Sequence, residues 1–367
     1  MGLDFSPLTL TSQKKFSIRE IISTNQVFIT LIIKQLYWNS SKKSVYLYVQ
    51  INLHSISEHS TEIFHRLRWG RSGVCCPRCG SIHIYNTDPT KIHICADCGK
   101  RFSDTSDTIF HSTKLPLNKW LYAIYLFCVQ SRGISSYNLA KSISVSQPTA
   151  WRMLYLIRST LHKELKIDSK EIMMDEVWIG ADWKKMPFKD KLKKCKRYGV
   201  TIPQPKGSDK YSQLIFKGAL RHTLKKVSNM DKVCVVGILQ KTRFNERSLS
   251  LRPFIYDQDR SLKISQFIEQ IREISNRDSI HLTSDDSSLY DLFEHHSICN
   301  HSQHIYVSED GYSSNPLEGA FSHLRRVWRG IYTWWSTKYF ELYLQEFCFR
   351  WNTQGLSTYE KMEFIFS

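Results

Sequence analysis

The order of apolar and polar positions divides this chain into elements. Ile172-Met173-Met174-Asp175-Glu176-Val177-Trp178-Ile179 is nearly continuous apolar sequence and predicts a buried strand. Residues 232–240 predict a second buried strand, and 248–255 a more exposed one. Ile264, Phe267, Ile271 and Ile274 recur at helical spacing, and 279–283 reads as a fourth strand. A short helix over 288–295 and an irregular polar stretch over 296–312 follow. A helix then runs from 313–318 to about Arg329, and a last one over 338–351 carries Phe340, Tyr343, Leu344, Phe347 and Trp351 on one core-facing stripe. Upstream, helices are predicted over 57–68 and 116–130, then a short helix over 136–143, a turn at 144–146 and a second helix opening at Gln147. Ser146 is placed to cap that second helix, with Pro148 in its first turn. Residues 1–54 are the least readable part; 26–38 suit a helix and 44–53 a strand, with no function assigned.

Composition narrows the choice. The chain has 367 residues, enough for two or three domains, and its 41% hydrophobic content is that of a folded protein. A net charge of +17 favours a polyanionic partner, nucleic acid before membrane, because no apolar run reaches the ~18–20 residues a span requires. The first residues lack a signal peptide's basic start and cleavage site. Positive charge concentrates over 184–210, where ten Lys and Arg face two Asp and Pro187, Pro203, Pro205 and Gly207 interrupt the pattern. This reads as a basic, mobile loop, with Lys193 and Lys194 as candidate phosphate contacts.

Four of the ten cysteines fall into two pairs, Cys76-x-x-Cys79 and Cys95-x-x-Cys98, fifteen residues apart. That spacing suits two knuckles holding one tetrahedral Zn2+, with Gly80 and Gly99 supplying the turns. The alternating segments 82–85 and 91–94 complete a zinc ribbon and indicate a reducing compartment. Cys75 reads as a bystander, and His83 and His93 as surface residues of those strands. His296, His301 and His304 match no standard ligand spacing and read as structural. Beside a ribbon in so basic a chain, the helix, turn and helix over 136–158 suggests a DNA-binding helix-turn-helix, with base contacts near Gln147, Thr149 and Arg152.

Acids stand in the first of the later strands, at the end of the fourth, and on a late helix, where they can converge at one sheet edge and hold two divalent cations. The knuckles, the link Phe102-Ser103-Asp104-Thr105-Ser106-Asp107-Thr108-Ile109-Phe110, the segment Met174-Asp175-Glu176-Val177-Trp178-Ile179-Gly180, and Asn315-Pro316-Leu317-Glu318-Gly319 through Arg326 together resemble one family. It is the Merlin-type DDE transposases and their bacterial insertion-sequence relatives, and the resemblance covers roughly residues 55–353. It implies an α/β fold, a ribonuclease-H-like mixed sheet with flanking helices, preceded by a small zinc ribbon and a helical helix-turn-helix region. The family's acids fall on Asp175, Asp285 and Glu318, with Asn315 an alternative third ligand, and its basic residue falls on Arg325, beside Arg326 as a further DNA contact. The residues themselves leave alternatives. Asp286 stands next to Asp285, only one of Asp175 and Glu176 can face the metals, and Asn315-x-x-Glu318 also fits a capping box.

The resulting expectation is a DNA transposase with structural Zn2+ and two catalytic Mg2+ or Mn2+ ions. It would act on the element's terminal inverted repeats and on target DNA, as a homo-oligomer. Its place would be intracellular: the nucleus in a eukaryote, the cytoplasm or nucleoid in a bacterium. The rivals are an inactive or domesticated DNA-binding protein of the same origin, and a nuclease that cuts without joining. The expected domains are an extension over 1–54, the ribbon over 55–110, the helical region over 111–168, the catalytic domain over 169–353 with its basic loop, and a tail over 354–367.

Overall fold

The computed structural model describes residues 56, 58–70, 73–89, 92–162, 165–204, 207–241, 247–285, 290, 293–299, 307–308, 311–332 and 335–366. The expectations for 1–54, and for Asp286, His301 and His304, lie outside the described residues. Helix α1 (Ser60–Trp69) leads into a three-stranded antiparallel sheet of β1 (Ile84–Tyr85), β2 (His93–Cys95) and β3 (Arg101–Phe102). The third strand goes beyond the two expected.

Helix α2 (Leu117–Val129) is followed by α3 (Ser136–Ile143) and α4 (Gln147–Ser159). The turn between the last two places Ser144 in the left-handed region, at φ 51°. Ser135 and Ser146 cap the two helices, accepting from the backbone N–H of Asn138 and Thr149. Leu139, Ala140 and Ile143 of α3, and Ala150, Met153, Leu154 and Ile157 of α4, are buried, so the pair presents only part of its circumference.

A mixed sheet of five strands forms the centre of the larger α/β part: β4 (Glu171–Ile179), β5 (Val233–Lys241), β6 (Arg247–Phe254), β7 (His281–Asp285) and β8 (His296–Cys299). Their spatial order is β6-β5-β4-β7-β8, with β5 antiparallel to both β4 and β6, β7 parallel to β4, and β8 parallel to β7. The continuous apolar runs of β4 and β5 follow from burial on both faces. Val177, Ile179, Val235 and Leu239 pack under α8 (Asn315–Val327) and α9 (Phe340–Asn352). Ile172, Met174, Val236 and Ile238 pack under α7 (Arg260–Arg277). The expected stripe of α9 is core: Phe340, Leu344 and Phe347 are buried, with Tyr343 and Trp351 packed against them.

Three expectations are corrected. Two helices interrupt the expected succession of strands: α5 (Phe188–Arg197) and α6 (Lys210–Met230) form an insert between β4 and β5. The stretch 184–210 is therefore not a loop throughout. Pro187 stands at the N-cap of α5, where its missing N–H costs nothing, and Asp209 caps α6 by accepting from Tyr211 and Ser212. Trp183, Cys195 and Val227 give the insert a small core of its own, which the lysines around it hide in the sequence. Second, 296–299 is the edge strand β8, and the described residues of 288–295 (Tyr290 and 293–295) are not helical. Third, the expected tail holds α10 (Thr358–Phe366), with Met362 and Ile365 buried and Phe366 against Phe64 and Phe110.

A buried polar network joins the helical region to α9. Glu346, 2% exposed, accepts from Arg158 of α4 at 2.7 Å, from Arg350 at 2.6 Å and from Tyr332 Oη at 2.7 Å. Arg350 also donates to the Phe127 carbonyl at the end of α2.

Candidate metal centre and acidic site

The two knuckles bring four sulfurs together. Cys76 Sγ lies 3.6 Å from Cys98 Sγ, and Cys79 Sγ 3.6 Å from Cys95 Sγ. Thiolates about 2.3 Å from a tetrahedral Zn2+ stand about 3.8 Å apart, so the set fits that ion without rearrangement. Gly80 and Gly99 take φ 73° and 67°, closing each knuckle with a backbone N–H to the carbonyl of Cys76 or Cys95. Cys75 is half-buried beside the set, and Cys128, Cys195, Cys234, Cys299 and Cys348 are buried elsewhere as packing residues. Burial pushes the thiols of Cys128, Cys234 and Cys348 up to about 12, which keeps them protonated and unreactive.

Next to the knuckles the structure corrects the surface reading of His93. This residue is fully buried because it shares the inward face of β2 with Cys95, two residues on. Its Nδ1 donates to the Asn86 carbonyl at 2.8 Å, and its Nε2 lies 2.8 Å from Asp104 Oδ1. Asp104 also meets His65 Nδ1 at 2.8 Å and accepts from Trp69 Nε1 at 2.7 Å. His65, His93 and Asp104 could be suspected of holding a second ion. Donors bound at 2.0–2.1 Å in tetrahedral geometry stand about 3.3 Å apart, whereas each imidazole here touches the carboxylate at hydrogen-bond distance. The cluster is a hydrogen-bonded hub that fastens α1 to the ribbon. Its signal in the sequence was the inward parity of His93 with a ligand cysteine.

The acids separate by strand geometry. Asp175 has the parity of Val177 and Ile179, which face α8, whereas Glu176 has that of Ile172 and Met174, which face α7. Glu176 accepts from the buried Tyr290 hydroxyl at 2.6 Å, and Asp175 Oδ1 accepts the Glu176 backbone N–H at 2.7 Å. Opposite Asp175 on β5 stands Gly237. A Cβ there would meet the Phe321 ring at 2.7 Å and Leu317 at 3.1 Å, so the glycine lets α8 press onto the sheet beside Asp175. On the other side β4 runs parallel to β7, pairing Glu171 with His281, Ile172 with Leu282 and Met173 with Thr283. The same offset carried two residues further sets the Asp285 backbone level with Asp175, one strand spacing of about 4.8 Å away.

On α8, Leu317, Ala320, Phe321, Leu324 and Val327 face the core, Glu318 is half-buried, and Asn315, Arg325 and Arg326 are exposed. Arg325 stands two turns beyond Glu318 on the same side of the helix. Ser314, not Asn315, holds the N-cap and makes no side-chain cap bond, so the capping-box explanation of Asn315 and Glu318 is not realised.

The candidate DNA contacts divide similarly. Arg152 is exposed on α4, but Gln147 donates to Ser136 Oγ at 2.8 Å and Thr149 Oγ1 shares a hydrogen bond with Ser146 Oγ at 2.8 Å. Lys193 is exposed, whereas Lys194 turns inward to Asp231 at 2.5 Å. Asp231 also accepts from Trp183 Nε1 and Tyr198 Oη, both at 3.2 Å. No helix among the described residues is long and apolar enough to cross a membrane.

A four-thiol centre, a mixed sheet with an acid on its central strand, and a strongly basic surface describe a zinc-binding α/β protein suited to nucleic acid. Comparison with known families makes this specific. The model of the transposase zinc-ribbon domain matches residues 57–101, and that of the ISXO2-like transposase domain matches residues 206–352. Two separate segments of the chain thus match transposase domain models, in the order that the resemblance in its motifs implied. The second match contains Asp285, Asn315, Glu318, Arg325 and Arg326 and begins after Asp175. Among curated relatives, an uncharacterized protein in transposable element ISH50 of Halobacterium salinarum is 26% identical over 122 residues. That match spans 32% of this chain and 40% of the relative's length. No solved structure matches.

Proposed function

We propose that this protein cuts DNA at the ends of an insertion sequence and joins the freed ends to target DNA. The observation that carries this reading is the pairing register, which, continued two residues beyond Met173 and Thr283, brings the Asp285 backbone level with Asp175 on the neighbouring parallel strand, while the helix that bears Glu318 packs on β4 and β5. The strand order β6-β5-β4-β7-β8, three antiparallel strands followed by two parallel ones, supports a ribonuclease-H-like core. Asp175, Asp285 and Glu318 are oxygen donors suited to divalent cations, with Asn315 one turn earlier on the same helix as the alternative third donor. Mg2+ or Mn2+ bound there would supply charge stabilisation to attacking and leaving oxygens at phosphorus.

Within this reading the residues divide the work. Asp175 and Asp285 fix the centre from two rigid strands, and Glu318 closes it from α8. Arg325 holds a substrate phosphate on the same side of the helix. The ribbon, α3 and α4 grip the terminal inverted repeats, with Arg152 offering the most accessible base contact and Arg326 a backbone contact. The active complex is a homo-oligomer that holds two element ends, and thiolate zinc ligands suit an intracellular location.

A strand-transfer assay on duplexes carrying the element's ends tests the reading. Asp175→Ala and Asp285→Ala should abolish Mg2+-dependent cutting and joining while DNA binding persists. Undiminished activity in Asp175→Ala would refute the assignment. Cut but unjoined ends from the unmodified protein would identify a nuclease, and binding without cutting a domesticated DNA-binding protein.

A further inference from the structure

The insert between β4 and β5 holds an unusual share of the chain's charge. Residues 181–231 contain fourteen Lys and Arg against four Asp, an excess of ten within a net +17. Its base is firmly seated. Asp231 gathers Lys194, Trp183 and Tyr198, and Arg260 donates to the carbonyls of Lys232 and Asn229 at 2.9 and 3.3 Å. Beyond that base α6 is mostly exposed, with only Val227 and Ser228 buried along its 21 residues.

Exposed helices ordinarily interleave acids with bases, because opposite charges at i,i+4 stabilise them and like charges do the reverse. Helix α6 contains no acid at all. Lys217, Arg221 and Lys225 are exposed at successive i,i+4 positions, and none makes an ion pair among the described residues. Four residues of helix rise about 6 Å and turn about 40° beyond a full circle, so the three charges form a slanting stripe about 12 Å long along the axis. A solvated face gains nothing from this arrangement. A polyanion whose strand carries one charge per ~3.4 Å of rise does.

Position adds to the case. The insert leaves the sheet at Ile179 and returns at Val233, a paired couple at the C-terminal end of β4. β7 is parallel to β4 and closes on Asp285 toward that same end. We propose that α6 is a DNA-gripping arm, in which Lys217, Arg221 and Lys225 hold the phosphate backbone of duplex DNA beside the acidic site. This rests on the reading of the protein as acting on DNA, and it assigns that role to an element which neither the resemblance nor the motifs single out.

The test uses the full-length, zinc-loaded protein and a 30-base-pair duplex of arbitrary sequence. Affinity is followed by fluorescence anisotropy across a series of NaCl concentrations, without Mg2+. Combined Lys217→Gln, Arg221→Gln and Lys225→Gln should reduce the slope of log affinity against log salt by about 2–3, since each phosphate contact contributes ~0.9. Affinity at 0.1 M NaCl should fall at least tenfold with an unchanged melting midpoint, while Lys217→Arg, Arg221→Lys and Lys225→Arg together should keep the slope. An unchanged slope in the folded neutral variant overturns the proposal. It is also overturned if that slope holds while Leu214→Ser with Ile215→Ser converts a dimer to a monomer, because the exposed Tyr211, Leu214 and Ile215 face would then meet a second copy. An unmodified protein that does not cut, with the expected slope change in its neutral variant, counts against the catalytic reading alone; an unchanged slope in the neutral variant of a protein that cuts counts against the arm alone.

Discussion

Gly237→Ala puts a methyl group where β5 touches α8. The new Cβ would lie 2.7 Å from the Phe321 ring and 3.1 Å from Leu317, and both side chains are buried. Overpacking of this kind costs about 1–3 kcal/mol. Replacing glycine also restricts the unfolded chain, which offsets about 0.4–1 kcal/mol of that loss. A net destabilisation of about 1–2 kcal/mol should lower the melting midpoint by about 2–6 °C in a unit of this size. Gly218→Ala provides the opposite control, because nothing lies within 4 Å of its added Cβ on the exposed helix α6. There the substitution should stabilise by about 0.5–1 kcal/mol. Differential scanning fluorimetry of both variants reads the contrast in one experiment, and Phe321→Leu added to Gly237→Ala should recover part of the loss. On the proposed function the same variant should also transfer strands more slowly, since that reading assigns Glu318 of α8 to the acidic site. A Gly237→Ala protein melting at or above the unmodified chain would mean that α8 does not seat on the sheet at this point, and the proposed closure of the acidic site would go with it.

Glu346→Gln leaves Arg158, 3% exposed, without an anion, and should cost about 3–5 kcal/mol in urea unfolding. Burial pushes the Glu346 carboxyl up, but Arg158 and Arg350 outweigh it and hold it below its ordinary 4.5. Its stabilisation is therefore complete above about pH 4.5 and lost as pH falls through the depressed value, so Glu346→Gln should flatten the acid limb of the stability profile. Cys95→Ser should reduce zinc from one ion per chain to a small residue by atomic emission, and should expose the ribbon to protease while leaving the five-stranded sheet folded. Full zinc occupancy in that variant would contradict a four-thiolate site.

Much of this protein was legible in the chain because its signals are local. The knuckle spacing specifies four sulfurs around one ion, since each Cys-x-x-Cys closes within a single turn. The capped pair α3 and α4 was readable because Ser146 and Pro148 act on the helix they begin. The buried strands announced themselves by apolar runs that only a sheet covered on both faces permits. Helices α5 and α6 were not legible, because their charge density resembles that of a solvated loop, and the small core of Trp183, Cys195 and Val227 forms only when distant residues meet.

Tertiary structure decided the rest. Adjacent acids at 175 and 176 are equivalent in a sequence; the packing of α8 on one face and α7 on the other made Asp175 the residue toward α8 and gave Glu176 to Tyr290. The nearness of Asp285 to Asp175 is likewise a matter of register across parallel strands 110 positions apart, which no local pattern encodes. The same is true of Lys194, indistinguishable from Lys193 until Asp231 drew it inward. The sequence by itself determined which residue types were present for metal and phosphate chemistry. Pairing and burial decided which of them stand together, because those interactions connect positions that the chain keeps far apart.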